Sequence, residues 1–245
     1  TSLSQGTCMH EGATSARLGL SGQPSEAEEL MVMRDIALSR LTGTPVHFLH
    51  LSTARSVALV RAAKAAGQAV TAEAAPHHFT LTDDACGGYD PTFKVHPPLR
   101  TDEDVAAVKA GLADGTIDAI ATDHAPHTPD SKELPFDQAP PGMLGLEYAL
   151  ALGLTELDLP LHRLIELMSV RPAQIARMPE QGRPVAVGEH ANLCVIDTAA
   201  AWTIDDSGGA SRSRHVPYVG RRVSGRVRHT VCGGEPVVIA GVAQR

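Results

Sequence analysis

The sequence predicts an α/β fold, a parallel sheet or barrel followed by a small β appendage, and three observations carry that expectation. Short apolar runs alternate with helical stretches at a period of roughly 25 to 45 residues, the rhythm of βαβ units. The apolar runs end in polar residues able to do chemistry, as strands of a parallel sheet do at their C-terminal edge. Beyond Gly182 the helical spacing vanishes, and short apolar segments divided by turns take over.

Residues 1–24 are rich in Gly and Ser and read as irregular. A helix follows, with Ser25 at its N-cap, Glu28 at the capping-box position, and Leu30, Met33, Ala37 and Leu41 along one face. Residues 46–51 form the first strand. Ser52 or Thr53 caps the next helix, which carries Val57, Val60 and Ala63 inward and ends at Gly67. The second strand, 69–74, runs into Ala75-Pro76-His77-His78-Phe79. After a loop with Gly87-Gly88, Thr101 caps a third helix with Val105, Val108 and Leu112 inward and Gly115 at its end. The third strand, 117–122, delivers Asp123. The Pro-rich segment 129–142 is longer than ordinary connections and suits a binding loop or lid. Helices over 144–154 and 161–170 precede a short one after Arg171-Pro172. In the appendage, Val185-Ala186-Val187-Gly188, residues 192–197 and residues 229–238 read as short strands.

A chain of 245 residues holds one large domain, or one domain with a small appendage. Aromatic residues make up 3% and the net charge is −7 with no basic stripe, which argues against nucleic-acid partners. Cys8, Cys86, Cys194 and Cys232 lie far apart and form no Cys-x-x-Cys, so neither a disulfide framework nor a thiolate zinc site is expected. They suit small buried hydrophobes in a reducing compartment. With no signal peptide and no long uncharged apolar stretch, the expectation is a cytoplasmic protein without a membrane partner.

Seven of the twelve histidines fall between positions 47 and 127. Imidazole and carboxylate are ligands that zinc prefers, and a carboxylate beside an activated water can relay a proton. His50 is either a metal ligand or a strand histidine tied to backbone. His47 lies three residues away, and strand alternation prevents the two from sharing one ion. Asp123 ends its strand before Ala125-Pro126-His127-Thr128-Pro129, a poor helix start, so chemistry is a better reading than helix capping. His124 is placed to orient it. His127 either touches a ligand or hydrogen-bonds its own loop. The pair His77-His78 reads as a brace for the strand end, and Asp83-Asp84 and Asp102-Glu103-Asp104 as solvated caps. Gly142 either brings backbone amides near a ligand or makes a simple turn.

Six motifs stand in order along the chain: Met9-His10-Glu11-Gly12, His50-Leu51-Ser52-Thr53, Thr71-Ala72-Glu73-Ala74-Ala75-Pro76-His77-His78, Lys94-Val95-His96-Pro97-Pro98-Leu99-Arg100, Asp114-Gly115-Thr116-Ile117-Asp118 and Ala121-Thr122-Asp123-His124-Ala125-Pro126-His127. Together they resemble the class I bacterial dihydroorotases of the amidohydrolase superfamily. The resemblance runs in order from about residue 7 to 240. It implies the C-terminal part of a (β/α)8 TIM-type barrel of the metal-dependent hydrolase fold over 1–183, with a small β-sandwich-like domain over 184–245. It also implies hydrolysis of dihydroorotate to N-carbamoyl-L-aspartate, and the reverse closure, in pyrimidine biosynthesis. Carried over by motif, His50 is a zinc ligand from barrel strand six, and Asp123 from strand eight is both ligand and proton shuttle. His127 and the Pro141-Gly142 backbone hold the substrate. His96 stands where relatives carry a substrate-contacting asparagine; imidazole lacks that amide's paired donor and acceptor.

The resemblance has a second departure. The family's His-x-His pair, carboxylate-binding arginine, bridging residue and strand-five histidine are not in this chain. The expectation is therefore a C-terminal portion of a longer protein, with the remaining ligands for one or two zinc ions upstream of residue 1. Three strands close no barrel, and such a fragment alone is expected to be inactive. Two rival readings are a non-catalytic partner of aspartate carbamoyltransferase and a sister cyclic amidase of the allantoinase or dihydropyrimidinase kind. A homo-oligomer is compatible with each of the readings.

Overall fold

The computed structural model describes residues 2–206 and 209–244. Three parallel strands, β3 (Val46–Phe48), β4 (Val70–Ala74) and β5 (Ala119–Ile120), form a sheet in the order β3-β4-β5. Before it lie a two-residue pair, β1 (Met9–His10) with β2 (Gly22–Gln23), and the helices α1 (Ala13–Leu18) and α2 (Glu26–Thr42). The crossovers are α3 (Ala54–Ala65) and α4 (Asp102–Asp114). Register pairs His47 with Thr71 and Glu73 with Ala119, so all three strands present their C-terminal ends at one edge.

Capping chemistry explains where α3 and α4 begin. Thr53 accepts from the Ser56 amide, and Thr101 and Asp104 form a reciprocal capping box. Val57, Val60, Val108 and Leu112 are fully buried, which makes these helices the roof over the sheet. The expected apolar face of α2 is different. Leu30, Met33 and Leu41 are exposed, at 42%, 50% and 80%, while Val32 and Ile36 pack toward β3 and α3. The sequence of α2 carries two apolar stripes, and the one that meets Phe48, Leu51 and Val60 is the one buried. Ser25 makes no side-chain cap; Glu28 turns to the next loop.

The third strand is shorter than expected, though the amides of Asp118 and Ala121 that flank it still donate to the Ala72 and Ala74 carbonyls at 2.8 and 3.1 Å. Three short helices follow α5 (Pro129–Lys132): α6 (Ala149–Glu156), α7 (Leu161–Ile165) and α8 (Arg171–Ile175), with a π-helical turn over Glu166–Val170. The appendage is a separate antiparallel sheet in the order β6 (Leu193–Thr203), β7 (Arg222–Cys232), β8 (Glu235–Ile239), β9 (Val242–Ala243). It is one layer among the described residues, seated on the main body where β7 meets α6. Residues 185–188 are not a strand; Gly188 adopts φ 91°, and Val185 and Val187 face solvent. No helix among the described residues is long and apolar enough to cross a membrane.

Candidate metal and substrate site

Two residues past β3 the chain reaches His50, and three past β5 it reaches Asp123. Both have positive φ, 35° and 45°, a conformation that costs non-glycine residues free energy and recurs at functional sites. The strain is held locally. The Leu51 amide donates to the Glu73 carbonyl at 2.9 Å, and the Ala121 amide to the Ala74 carbonyl at 3.1 Å. The Ala125 amide then donates to the Met143 carbonyl at 3.0 Å.

Between these two strand ends lies the end of β4, where His77 is fully buried. Its Nε2 stands 3.7 Å from Asp123 Oδ2, and neither ring nitrogen has a hydrogen-bond partner among the described residues. Burial pushes the His77 imidazole down to about 3, with the charge of His50 adding to the effect. Burial raises the Asp123 carboxyl above its ordinary range; His50 and His96 oppose that rise and Glu73 adds to it. His50, His96 and Glu73 thus all lie near enough to Asp123 to act on its charge. A cleft of about 240 Å³ beside β3 is lined by His50, His96, Pro97, Phe48, Leu49 and Glu28.

His47 is engaged by neighbours on β4. Its Nδ1 meets Thr71 Oγ1 at 2.8 Å and its Nε2 meets Glu73 Oε2 at 3.0 Å. His124 does not orient Asp123. Its Nδ1 accepts from the amides of Gly145 and Leu146, because the chain doubles back beside Met143 and brings those donors within reach. His78 Nε2 donates to the Pro97 carbonyl at 3.1 Å, a brace of the expected kind. His127 Nε2 donates to the Pro141 carbonyl at 3.0 Å. Gly142, at φ 136°, packs so closely that an added Cβ would sit 2.6 Å from His127 Nε2 and 2.8 Å from Ala125 Cβ. The positions 127, 141 and 142 therefore form one rim, with the Gly142 amide bonded to the Lys94 carbonyl at 2.8 Å.

The long-range partners of several residues that shape the site were not legible in the sequence. Glu28 accepts from the amides of Ser52 and Thr53 at 3.1 and 3.2 Å and from the Ser52 hydroxyl. Arg100, 2% exposed, donates to Ser52 Oγ, to His10 Nδ1 and to the Gln23 carbonyl, each at 3.1 Å. Together they fasten the turn that carries His50. Glu28 was misleading because the capping-box spacing from Ser25 offered a local use for it. Asp83 and Asp104 are buried rather than solvated: Ala54 donates its amide to Asp104 Oδ1 at 2.8 Å, joining α3 to α4.

The donors present fit zinc in kind. His50 and Asp123 lie past the ends of two strands at one sheet edge, and His50 Nδ1 is buried without a partner among the described residues. They fall short in number, since no cluster of three or more His, Cys, Asp or Glu side chains able to hold a metal occurs among the described residues.

Comparison with known proteins identifies the family. The amidohydrolase family model matches residues 7–237. A dihydroorotase from Anaeromyxobacter sp. (strain K) is 49% identical over 242 residues, covering 97% of this chain and 55% of that protein. One from Streptomyces coelicolor is 47% identical over 243 residues, covering 98% and 57%. These identities bear out the resemblance read from the motifs. Among solved structures, an L-hydantoinase (dihydropyrimidinase) from Arthrobacter aurescens superposes with a TM-score of 0.84 at 30% identity, over 91% of this chain and 51% of that one. A dihydropyrimidinase from Brevibacillus agri NCHU1002 gives 0.85 at 24% identity, over 90% and 50%, and bears on the fold alone. The chain spans about half the length of the curated relatives it matches. Its fold is an α/β amidohydrolase fold with a separate antiparallel sheet, and the chain belongs to the amidohydrolase family.

Proposed function

We propose that this chain supplies the C-terminal half of the active site of a dihydroorotase-type cyclic amidohydrolase. The reaction is hydrolysis of dihydroorotate to N-carbamoyl-L-aspartate and the reverse ring closure. The observation that carries the reading is the pairing of His50 and Asp123, each at positive φ, at the ends of two strands of one parallel sheet. In this reading β3, β4 and β5 are strands six to eight of a TIM-type barrel formed by residues 1–183, and 184–245 make the small β domain. Support comes from the sheet edges of β3 and β5, each paired on one side only among the described residues, and from the exposed apolar stripe of α2.

His50 and Asp123 are the residues that hold zinc, which when bound supplies Lewis acidity toward the ring carbonyl. The Asp123 carboxylate accepts a proton from the attacking water and hands it to the ring nitrogen as the C–N bond breaks. His127 and the Pro141-Gly142 corner form the rim against which the ring and its carboxylate sit, the Gly142 amide itself being taken by the Lys94 carbonyl, and His96 closes the side by the cleft. Partners are small molecules, dihydroorotate and N-carbamoyl-L-aspartate, together with a homo-oligomer or aspartate carbamoyltransferase.

The test uses the protein as encoded in full, loaded with zinc and assayed on dihydroorotate, hydantoins and allantoin. Dihydroorotate is expected to be the best substrate, and Asp123→Asn to remove turnover while shifting stability by less than about 1 kcal/mol. Preference for a hydantoin would move the assignment to a sister cyclic amidase, the reading favoured by His96 in the asparagine position. Near-normal turnover in Asp123→Asn would sink the mechanism.

A further inference from the structure

The segment 129–142 reaches the Gly142 rim over two buried lysines. Lys132, 4% exposed, donates from Nζ to the Pro91 carbonyl at 2.9 Å and to the Pro140 carbonyl at 3.0 Å. Lys94, 7% exposed, donates from Nζ to the Asp137 carbonyl at 3.0 Å, and its ammonium lies 5.8 Å from the Phe136 ring centroid. The Lys94 carbonyl accepts from the Gly142 amide. Each lysine therefore ties one part of the segment to the turn at 91–94, and their carbonyl partners flank the Pro141-Gly142 corner.

Lysine is among the residues least often fully buried, and neither of these forms an ion pair among the described residues. An apolar side chain would fill the same space without the desolvation cost, but it could not grip a carbonyl. What the two ammonium groups add is a fixed position for Asp137 and Pro140, and through them for the corner that packs against His127.

We propose that Lys132 and Lys94 are positioning residues of the substrate site: they set the Pro141-Gly142 backbone and His127 for a carboxylate-bearing cyclic amide without touching it. The inference rests on the dihydroorotase-type reading of that rim.

The test compares Lys132→Met and Lys94→Met with the wild type, in the protein as encoded in full. Two readouts are taken: steady-state kinetics on dihydroorotate, and hydrogen exchange at the Gly142 amide against the amides of β4. The expected result is a KM raised about tenfold with kcat held within about threefold, and Gly142 exchange about tenfold faster while β4 is unchanged. Unchanged KM and unchanged Gly142 exchange overturn the proposal. Faster exchange at β4 as well marks general loosening, and Lys132→Arg then decides. Arginine keeps N–H donors, so it recovers KM if gripping the carbonyls matters, and recovery no better than with methionine overturns the proposal. If the wild type turns over no dihydroorotate, the site reading fails by itself. The exchange measurement still decides the clamp: selective loosening at Gly142 upholds it, and none overturns it.

Discussion

Asp118 lies away from the proposed chemistry, and its loss is expected to cost stability rather than activity. Its carboxylate is 4% exposed and accepts from Lys64 Nζ at 2.6 Å, Arg171 Nη2 at 2.9 Å and the Ala72 amide at 2.9 Å. It joins β5 to β4, α3 and α8 at the end of the sheet opposite Asp123. Asp118→Asn preserves volume and can keep the Ala72 bond, but it turns charge-assisted bonds into neutral ones or sets an N–H₂ against a cation. A hydrogen bond to a charged group contributes about 1.5–3 kcal/mol. The Arg171 arm is 39% exposed and is discounted for solvent screening to under about 1 kcal/mol. Lys64 keeps the Gly115 carbonyl at 3.1 Å as a partner and so is not stranded, which holds the total below the 3–5 kcal/mol typical of a broken buried pair. The expected loss is about 3 kcal/mol, read from urea unfolding at neutral pH with an unchanged m-value.

The pH dependence of Asp118 gives a second handle. Burial alone would raise the Asp118 carboxyl, but the bonds from Lys64, Arg171 and the Ala72 amide outweigh it and hold it below its ordinary 3.8. Its contribution is therefore fully present above that value and is lost as pH falls through the lower folded-state value. The wild type should lose its advantage over Asp118→Asn only in that acid window. A loss under about 1 kcal/mol at neutral pH, or an advantage that persists in acid, would refute the reasoning.

Gly142→Ala drives a methyl into His127 and Ala125 at a φ that alanine rarely adopts, so a cost of about 1–3 kcal/mol is expected. KM on dihydroorotate should rise at least about tenfold, checked by steady-state kinetics. For Lys132, burial first and the Lys94 charge second lower the amine from 10.5 to about 8. The unfolded chain then binds more protons between those values, so this group makes stability rise as pH climbs from about 8 to 10.5, and Lys132→Met should remove that rise in pH-dependent urea unfolding. Chelation is expected to abolish turnover of the protein as encoded in full, with recovery on adding zinc. The 245 residues alone should retain zinc well below stoichiometry, measured by metal analysis after dialysis.

Local rules carried the sequence reading where local chemistry decides. Thr53 and Thr101 cap their helices, and Val57, Val60, Val108 and Leu112 face inward. The reading failed where a side chain had both a near and a far use. Glu28 matched a capping box three residues from Ser25, yet it serves a turn 24 residues away. His124 stood next to Asp123 in sequence, yet it serves the amides at 145 and 146. Nothing in the sequence around Lys94 or Lys132 announces that their partners are carbonyls at 137, and at 91 and 140.

The strain at positions 50 and 123 links those two kinds of residue. Five non-glycine residues take positive φ among those described, and two of them are the pair chosen from sequence for their chemistry. Left-handed backbone at a histidine or an aspartate costs on the order of 1–3 kcal/mol, so something must hold it. At His50 the holders are Glu28 and Arg100, which grip Ser52, and the Glu73 carbonyl, which receives the Leu51 amide. At Asp123 they are the Ala74 and Met143 carbonyls on either side. Met143 directly follows the Gly142 corner, where the Lys94 carbonyl takes the amide. The residues invisible to sequence reasoning are thus the ones that hold the visible ones in place. Loosening Glu28 or Arg100 should disturb His50 before it disturbs the sheet, because β3 and β4 remain paired through residues 46–48 and 70–72 without them.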